Sequence, residues 1–410
     1  MQFKQILQHS LIARLALILV CTLFVSSCAN RPAINKSALQ PSYQTLSLGL
    51  FEINSFDVYV HDDVVHVLFA GSEKADSKAR VVRYIRSEDS GKHWSKPIEI
   101  SGSVPAPTDA VRGNDVQLAV SGNNLLAIWQ ARGEFPGMGP MVSVYSHDGG
   151  NTWQVGANPA VNNAGDQAHI DLAADQQGNF HVVWLEDPEE NGYQSLRYAR
   201  AIDGGVQWQP TQRLDDGTCS CCWNTLKVSP NGELNVLYRD MKPRDMALIR
   251  SSDHGASWQP VSMVGDFNWQ FEGCPHIGGG LAQAGDDQLN AVVWTGAEPN
   301  PGLYHLRSDN KGKTWTKPQP LGNHALHGDI AALDNKHILA IWDELGPDGS
   351  SIASAQSQDG GSTWAITQSL SKPNTIATHP RVVSTSVGYL ALWTEKQPKQ
   401  RSQLAIAVFE

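Results

Sequence analysis

Basic clusters are what this sequence most clearly lacks. Across 410 residues, 31 Lys and Arg stand against 41 Asp and Glu, a formal charge of −10, and no segment concentrates the positive residues. An acidic surface of this kind argues against nucleic acid or anionic membrane as an electrostatic ligand. No motif for a nucleotide or flavin cofactor is present. The apolar run Leu15 to Val25 is too short to cross a bilayer as a stable helix. With Lys4 and Arg14 ahead of it, that run reads as an export signal over residues 1–27. Cysteine is scarce as well: of six, Cys21 lies in the signal and Cys28 at its end, which leaves Cys219, Cys221, Cys222 and Cys274. In an oxidising compartment, disulfides and metal ligation are both open to those four.

The signal ends in Val25-Ser26-Ser27-Cys28, which resembles the lipobox of bacterial lipoproteins. The resemblance implies lipidation at Cys28, a tether over residues 28–41, and a membrane contact made through the lipid. Ala29 follows in place of Asp, and the family's sorting rule then implies the outer membrane, with the protein facing the periplasm of the cell envelope.

What is abundant is a repeat. Ser87 to Trp94 reads Ser-Glu-Asp-Ser-Gly-Lys-His-Trp, and the pattern Ser-x-Asp-x-Gly-x-x-Trp returns at Ser146 to Trp153, Ser251 to Trp258 and Ser357 to Trp364. It returns with Ala201 in place of Ser before Trp208, and with Asn310 in place of Asp before Trp315. The Asp of such a box accepts backbone N–H groups across a tight turn, the Gly takes a positive φ, and the Trp packs between sheets. Asp89, Asp148, Asp203, Asp253, Asn310 and Asp359 are therefore read as structural. The six segments are similar to the Asp-box (BNR) repeats of the sialidase superfamily. That resemblance implies an all-β propeller with the boxes on the face opposite the functional site.

Between the boxes run short apolar strands ending near a large aromatic: Val64–Phe69, Leu125–Trp129, Phe180–Trp184, Leu234–Tyr238, Leu289–Trp294, Ile338–Trp342 and Tyr389–Trp393. There are seven of these, and units of about 50 residues suit four-stranded blades. The last unit has three strands, so Tyr43 to Leu50 is the candidate for its fourth, closing the ring in a single domain over residues 42–410. Seven blades are favoured; the sialidases have six, and six remain an alternative.

Propeller loops that lead into the first strands open on one face, around the channel. Aligning those strands places Asp57, Asp115, His169, Cys222, His276, His327 and His379 at one position. Imidazoles converging with a thiol suit copper or zinc, with the two Asp at one side, and His324, Asp171 and Asp329 are near enough to support them. The alternative is that each His caps its own strand. Cys274 is a candidate disulfide partner for Cys219 or Cys221.

Loops after the second strands add Glu186, Asp240, Glu298, Asp343, Glu344 and Glu395, together with Arg239 and Arg244. Of these, Arg239, Asp240, Glu298 and Glu344 are the candidates for glycoside acid/base chemistry. The Phe/Tyr-Arg-Ile-Pro motif of sialidases is missing, since Tyr84-Ile85-Arg86 stands in that region on a strand leading into a box. Arg112, Arg239 and Arg381 are the available arginines for a carboxylate clamp. Three expectations follow: a metal-binding propeller, a sialidase-like glycosidase or glycan-binding module, or a scaffold for protein partners.

Overall fold

The computed structural model describes residues 41–410 apart from 47, 76, 78, 103, 105–106, 135–136, 162–165, 188–193 and 368. The export signal, Cys28 and nearly all of the tether lie outside the described residues. Seven four-stranded antiparallel sheets follow one another along the chain. Their innermost strands are Glu52–His61, Gln117–Ser121, Gln167–Ala174, Thr225–Val228, Gly279–Ala284, Asp329–Ala332 and Ile376–Thr385, which define blades 1 to 7.

The seventh blade closes the ring as expected. Its outer strand is Ser42–Leu46, paired antiparallel to Gln403–Phe409 with Ser42 opposite Val408 and Leu46 opposite Leu404. Both ends of the propeller thus share one sheet, so opening the ring means breaking that ladder.

The second strands are the seven aromatic-ended segments, and Trp129, Trp184, Trp342 and Trp393 are fully buried. Apolar side chains gather into seven principal clusters, one at each contact between neighbouring blades. The box tryptophans Trp94, Trp153, Trp208, Trp258, Trp315 and Trp364 each pack at the edge of such a cluster. This is where the box stabilises the fold: the turn holds the indole that seals the seam against the previous blade.

The turn chemistry recurs in the boxes that keep the Ser. Asp148 Oδ1 accepts from Ser146 Oγ at 2.7 Å and from the Thr152 N–H at 2.9 Å. Asp253 and Asp359 repeat those bonds, and Asn310 does the same through its amide oxygen. Each box joins a third strand to a fourth, so the boxes lie on the face opposite the loops that lead into the inner strands.

Candidate functional site at the channel mouth

The ladders between first and second strands fix which inner residues are equivalent. Asp57, Gln117, Asp171, Thr225, Gly279, Asp329 and Arg381 pair with Leu68, Ile128, Val183, Leu237, Val293, Ile341 and Leu392. They form one layer around the channel. Two residues earlier, toward the mouth, the next layer is Ser55, Asp115, His169, Trp223, Ile277, His327 and His379.

The expected ring is therefore right in four blades and shifted in three. Ser55 takes the place expected for Asp57, Trp223 that of Cys222, and Ile277 that of His276. The reason is local. His169 and His379 sit at bulges in their strands, with φ of 52° and 50°. The inner strands of blades 4 and 5 begin only at Thr225 and Gly279, and Cys222 and His276 stand in the loops ahead of them.

The deeper layer is a charge lock. Asp57, Asp171 and Asp329 each accept a backbone N–H of the next blade, from Leu118 at 2.9 Å, Leu226 at 2.5 Å and Val382 at 2.9 Å. Arg381 reaches among them, with Nη2 3.8 Å from Asp57 Oδ1. Burial works against the Arg381 charge, and the carboxylates of Asp329, Asp57 and Asp171 more than offset it, so its pKa is raised. One cation cannot neutralise every carboxylate. Burial pushes Asp57 up to about 7 despite Arg381, and burial raises Asp171 as well.

Above the lock, the mouth is nearly filled. The Trp223 indole lies over Gly278, where an added Cβ would meet Trp223 Nε1 at 2.5 Å. Its ring reaches across to His327 and His379, with centroids at 5.5 and 5.8 Å. A cavity of about 20 Å³ remains, lined among others by Arg112, Asp115, Trp223, His327, His379 and Arg381. That space holds one water-sized occupant and no sugar ring.

His327 and His379 lie face to face, centroids 3.6 Å apart and planes 15° from parallel. Buried Asp343 organises both. Its carboxylate accepts the His327 backbone N–H at 2.9 Å and meets His327 Nδ1 at 2.8 Å. It also accepts the Thr378 hydroxyl at 2.6 Å, which leaves Thr378 Oγ1 only its lone pairs for His379 Nδ1, 2.8 Å away. In the neutral rings both Nδ1 atoms then carry the proton, and both Nε2 atoms keep a free lone pair. Burial, followed by His327, Arg112 and Arg381, holds His379 well below the usual histidine range. Donor atoms of His327, Asp343 and His379 lie within 4.8 Å of one another.

His169 is engaged differently: its Nδ1 meets the Gly113 carbonyl at 2.9 Å, and burial lowers its pKa. Asp115 is tied to Arg112 and accepts from Ser55 Oγ at 2.7 Å. Neither belongs to a cluster of metal-ligating groups among the described residues.

The sulfur atoms form a second centre beside the first. Cys219 Sγ lies 2.6 Å from Cys222 Sγ and 3.8 Å from Cys221 Sγ, all three buried. Cys221, exposed Cys274 and His276 place donor atoms within 4.8 Å of one another. No disulfide is formed among these cysteines, including the pairings expected for Cys274. Arg244 Nη1 is 3.3 Å from Cys219 Sγ, and its Nε donates to the Phe271 carbonyl. Hydrogen bonds from the Cys221 and Cys222 thiols, with the Arg239 charge, favour the Cys219 thiolate and hold its pKa far below the usual thiol range.

A model of the BNR repeat-like domain matches residues 52–212 and 195–410, nearly the whole propeller. The chain belongs to that family. No curated protein matches the sequence. Among solved structures, an ulvan lyase of polysaccharide lyase family 25 superposes with a TM-score of 0.58 at 10% identity, covering 88% of this chain and 95% of its own. A protein of unknown function from Dyadobacter fermentans gives 0.52 at 13% identity, covering 92% of this chain and 99% of its own. A sialidase from Streptococcus pneumoniae gives 0.48 at 11% identity, covering 91% and 70%. At such identities the likeness concerns the fold.

In this BNR propeller three of the loop acids, Glu344 among the glycoside candidates, are engaged by buried indoles. Glu186, Glu344 and Glu395 accept the indole N–H of Trp184, Trp342 and Trp393 at 2.8, 2.7 and 3.0 Å. Arg239 is buried and donates to the carbonyls of Ile277, Arg244 and Trp294. Asp240 accepts the Met241 N–H, and Glu298 is exposed. Arg112 donates to the Phe56 carbonyl at 3.0 Å and to that of His379, so the three arginines serve separate structural bonds and form no clamp. Two residues of the mouth escaped the sequence reading: Trp223, hidden beside the more conspicuous Cys222, and Thr378, which carries no signal of its own.

Proposed function

We propose that this exported, lipid-anchored propeller binds one copper or zinc ion at its channel mouth through Nε2 of His327 and His379. The observation that carries the reading is the Asp343–Thr378 network, which fixes both imidazoles in the tautomer that offers a lone pair on Nε2. A carboxylate behind a ligating histidine is the usual support of such sites. The fit is good in size, since the residual 20 Å³ suits an ion or a water. Because the two rings stand 15° from parallel, their Nε2 lone pairs run side by side, and holding one ion between them asks the rings to turn toward each other. When bound, the ion would supply Lewis acidity or a redox centre. The protein's part is to orient the rings through Asp343 and to exclude bulk water with Trp223.

A second reading places a saccharide on the opposite face. A polar groove of about 960 Å³ there is lined by Glu233, Arg250, Asp253, Asp287, Lys311 and Lys313 among others, and is wide enough for several sugar rings.

Elemental analysis of protein reconstituted with copper or zinc separates the two. About one equivalent, lost in His327→Ala/His379→Ala and kept in Lys311→Ala, supports the mouth site. No bound metal, or metal indifferent to the double substitution, overturns it; glycan-array binding lost in Lys311→Ala would then favour the groove.

A further inference from the structure

The four cysteines lie at the seam of two consecutive loops, 219–224 leading into blade 4 and 265–278 leading into blade 5. They run from solvent to interior. Cys274 is exposed, Cys221 lies within 4.8 Å of it, Cys219 is 3.8 Å further in, and buried Cys222 ends the series at 2.6 Å. The last spacing is informative. Two thiolates sharing one tetrahedral zinc at about 2.3 Å each stand about 3.8 Å apart, whereas a disulfide bond is about 2.05 Å. Cys219 and Cys222 are therefore placed to bond to each other and are too close to co-ligate an ion. Cys221 is at the distance from which one sulfur attacks another with little movement.

We propose that these sulfurs form a thiol–disulfide relay, in which a buried Cys219–Cys222 disulfide exchanges with an exposed Cys221–Cys274 disulfide that meets a dithiol on another protein. Each step conserves atoms and electrons. Cys221 thiolate attacks Cys219 Sγ; the 221–219 bond forms, the 219–222 bond breaks, and Cys222 leaves with the electron pair and takes a proton. Cys274 thiolate then attacks Cys221 Sγ; the 274–221 bond forms, the 221–219 bond breaks, and Cys219 leaves beside the Arg244 guanidinium. The external dithiol reduces Cys221–Cys274 and becomes a disulfide itself, so two electrons pass inward. An external disulfide drives the same steps in reverse. Ser220 Oγ, 3.8 Å from Cys274 Sγ, lines the exposed end.

The test uses the full chain oxidised with glutathione disulfide, reduced with dithiothreitol for graded times, alkylated and mapped by mass spectrometry. The expected result is Cys219–Cys222 first, Cys221–Cys274 as a transient, and thiols at all four of these positions last. In Cys274→Ser, reduction of the buried pair is expected to slow at least tenfold. In Cys219→Ser only Cys221–Cys274 forms. Thermal unfolding of each variant checks that the fold persists; should Cys219→Ser fail to fold, the Cys274→Ser rate still decides. An unchanged rate in Cys274→Ser overturns the relay, as does absence of the Cys219–Cys222 bond after oxidation. Protection of all four thiols by added zinc would show a metal site in its place.

Discussion

The two halves of the channel mouth occupy comparable positions in the repeat and do opposite things with them. In blades 6 and 7, the imidazoles sit on the inner wall, and their protons are fixed by a buried carboxylate two strands deep. In blades 4 and 5, the sulfur atoms sit in loops ahead of the strands, touching each other more than the wall. The first arrangement is rigid and presents lone pairs to a space the size of one ion. The second is a line of mutually reactive atoms reaching solvent. A propeller repeats its frame faithfully, so the chemistry is decided by departures of one or two residues at the tops of the inner strands.

The largest expected effect breaks one half only. Asp343→Ala leaves the Nδ1 proton of His327 and the Thr378 hydroxyl without their buried partner, at a cost of about 2–4 kcal/mol. Loss of the orienting carboxylate should weaken metal binding about 10- to 100-fold. Urea unfolding and metal competition measure the two, and Asp343→Asn should recover part of each. Alkylation rates of the cysteines should not change; if they do, the halves are one site.

Next comes the layer beneath both halves. Asp57 has a folded-state pKa near 7, above its ordinary carboxylate value. The native state then binds this proton more tightly than the unfolded chain, so its contribution is complete at low pH and is lost as pH rises through about 7. Linkage sets the ceiling at about 4 kcal/mol. Asp57→Asn mimics the protonated form and should flatten unfolding free energy between pH 5 and 8. A slope identical to that of the parent protein would assign the ionisation elsewhere in the Arg381 ring.

Trp223 belongs to the sulfur-side loop but packs on the imidazole side, against His327 and His379. Replacing this half-buried indole by Ala should cost about 2–3 kcal/mol, below the value for a fully buried Trp. Burial keeps His379 neutral in the native state, so its contribution is present above the unfolded histidine pKa and is lost as pH falls. Trp223→Ala wets the ring and should make the loss of stability between pH 7 and 5 shallower. An unaltered profile would mean that Trp223 does not control water at the mouth.

How much of this was legible follows from what each residue does. The blade count was readable because every second strand carries a large aromatic toward its end that packs at a seam, and because the last unit was one strand short. The boxes were readable because the turn favours its Ser, its Asp or Asn acceptor and its Gly at fixed spacing. Aspartates at positions 57, 171 and 329 cap the next blade, so an Asp in the right strand looked like a ligand position when Ser55 held the place. Cys222 and His276 drew the register one residue early, since a bulge in neighbouring strands cannot be seen from residue types. The indole bonds of three loop acids were hidden for a related reason: Glu186, Glu344 and Glu395 lie two residues beyond a Trp, and a carboxylate there accepts the buried indole N–H.

The smallest effect belongs to the opposite face and serves as the contrast for both halves. Asp253 accepts from Ser251 Oγ at 2.7 Å and from the Ser257 N–H at 2.8 Å, while Asn310 accepts the matching pair at 2.9 Å each. Blade 5 thus shows that the turn needs an oxygen acceptor and not a charge. Asp253→Asn should change stability at neutral pH by under about 0.5 kcal/mol. The hydroxyl and backbone donors of Ser257 and the Ser251 hydroxyl depress Asp253 to about 2. Its contribution is therefore present above the unfolded carboxylate pKa and lost as pH falls toward 2, and the substitution should remove that acid dependence. Metal content and thiol exchange should both stay unchanged. A change in either would mean that the box face and the mouth are coupled through blade 4, and the division of the mouth into two independent halves would have to be redrawn around that blade.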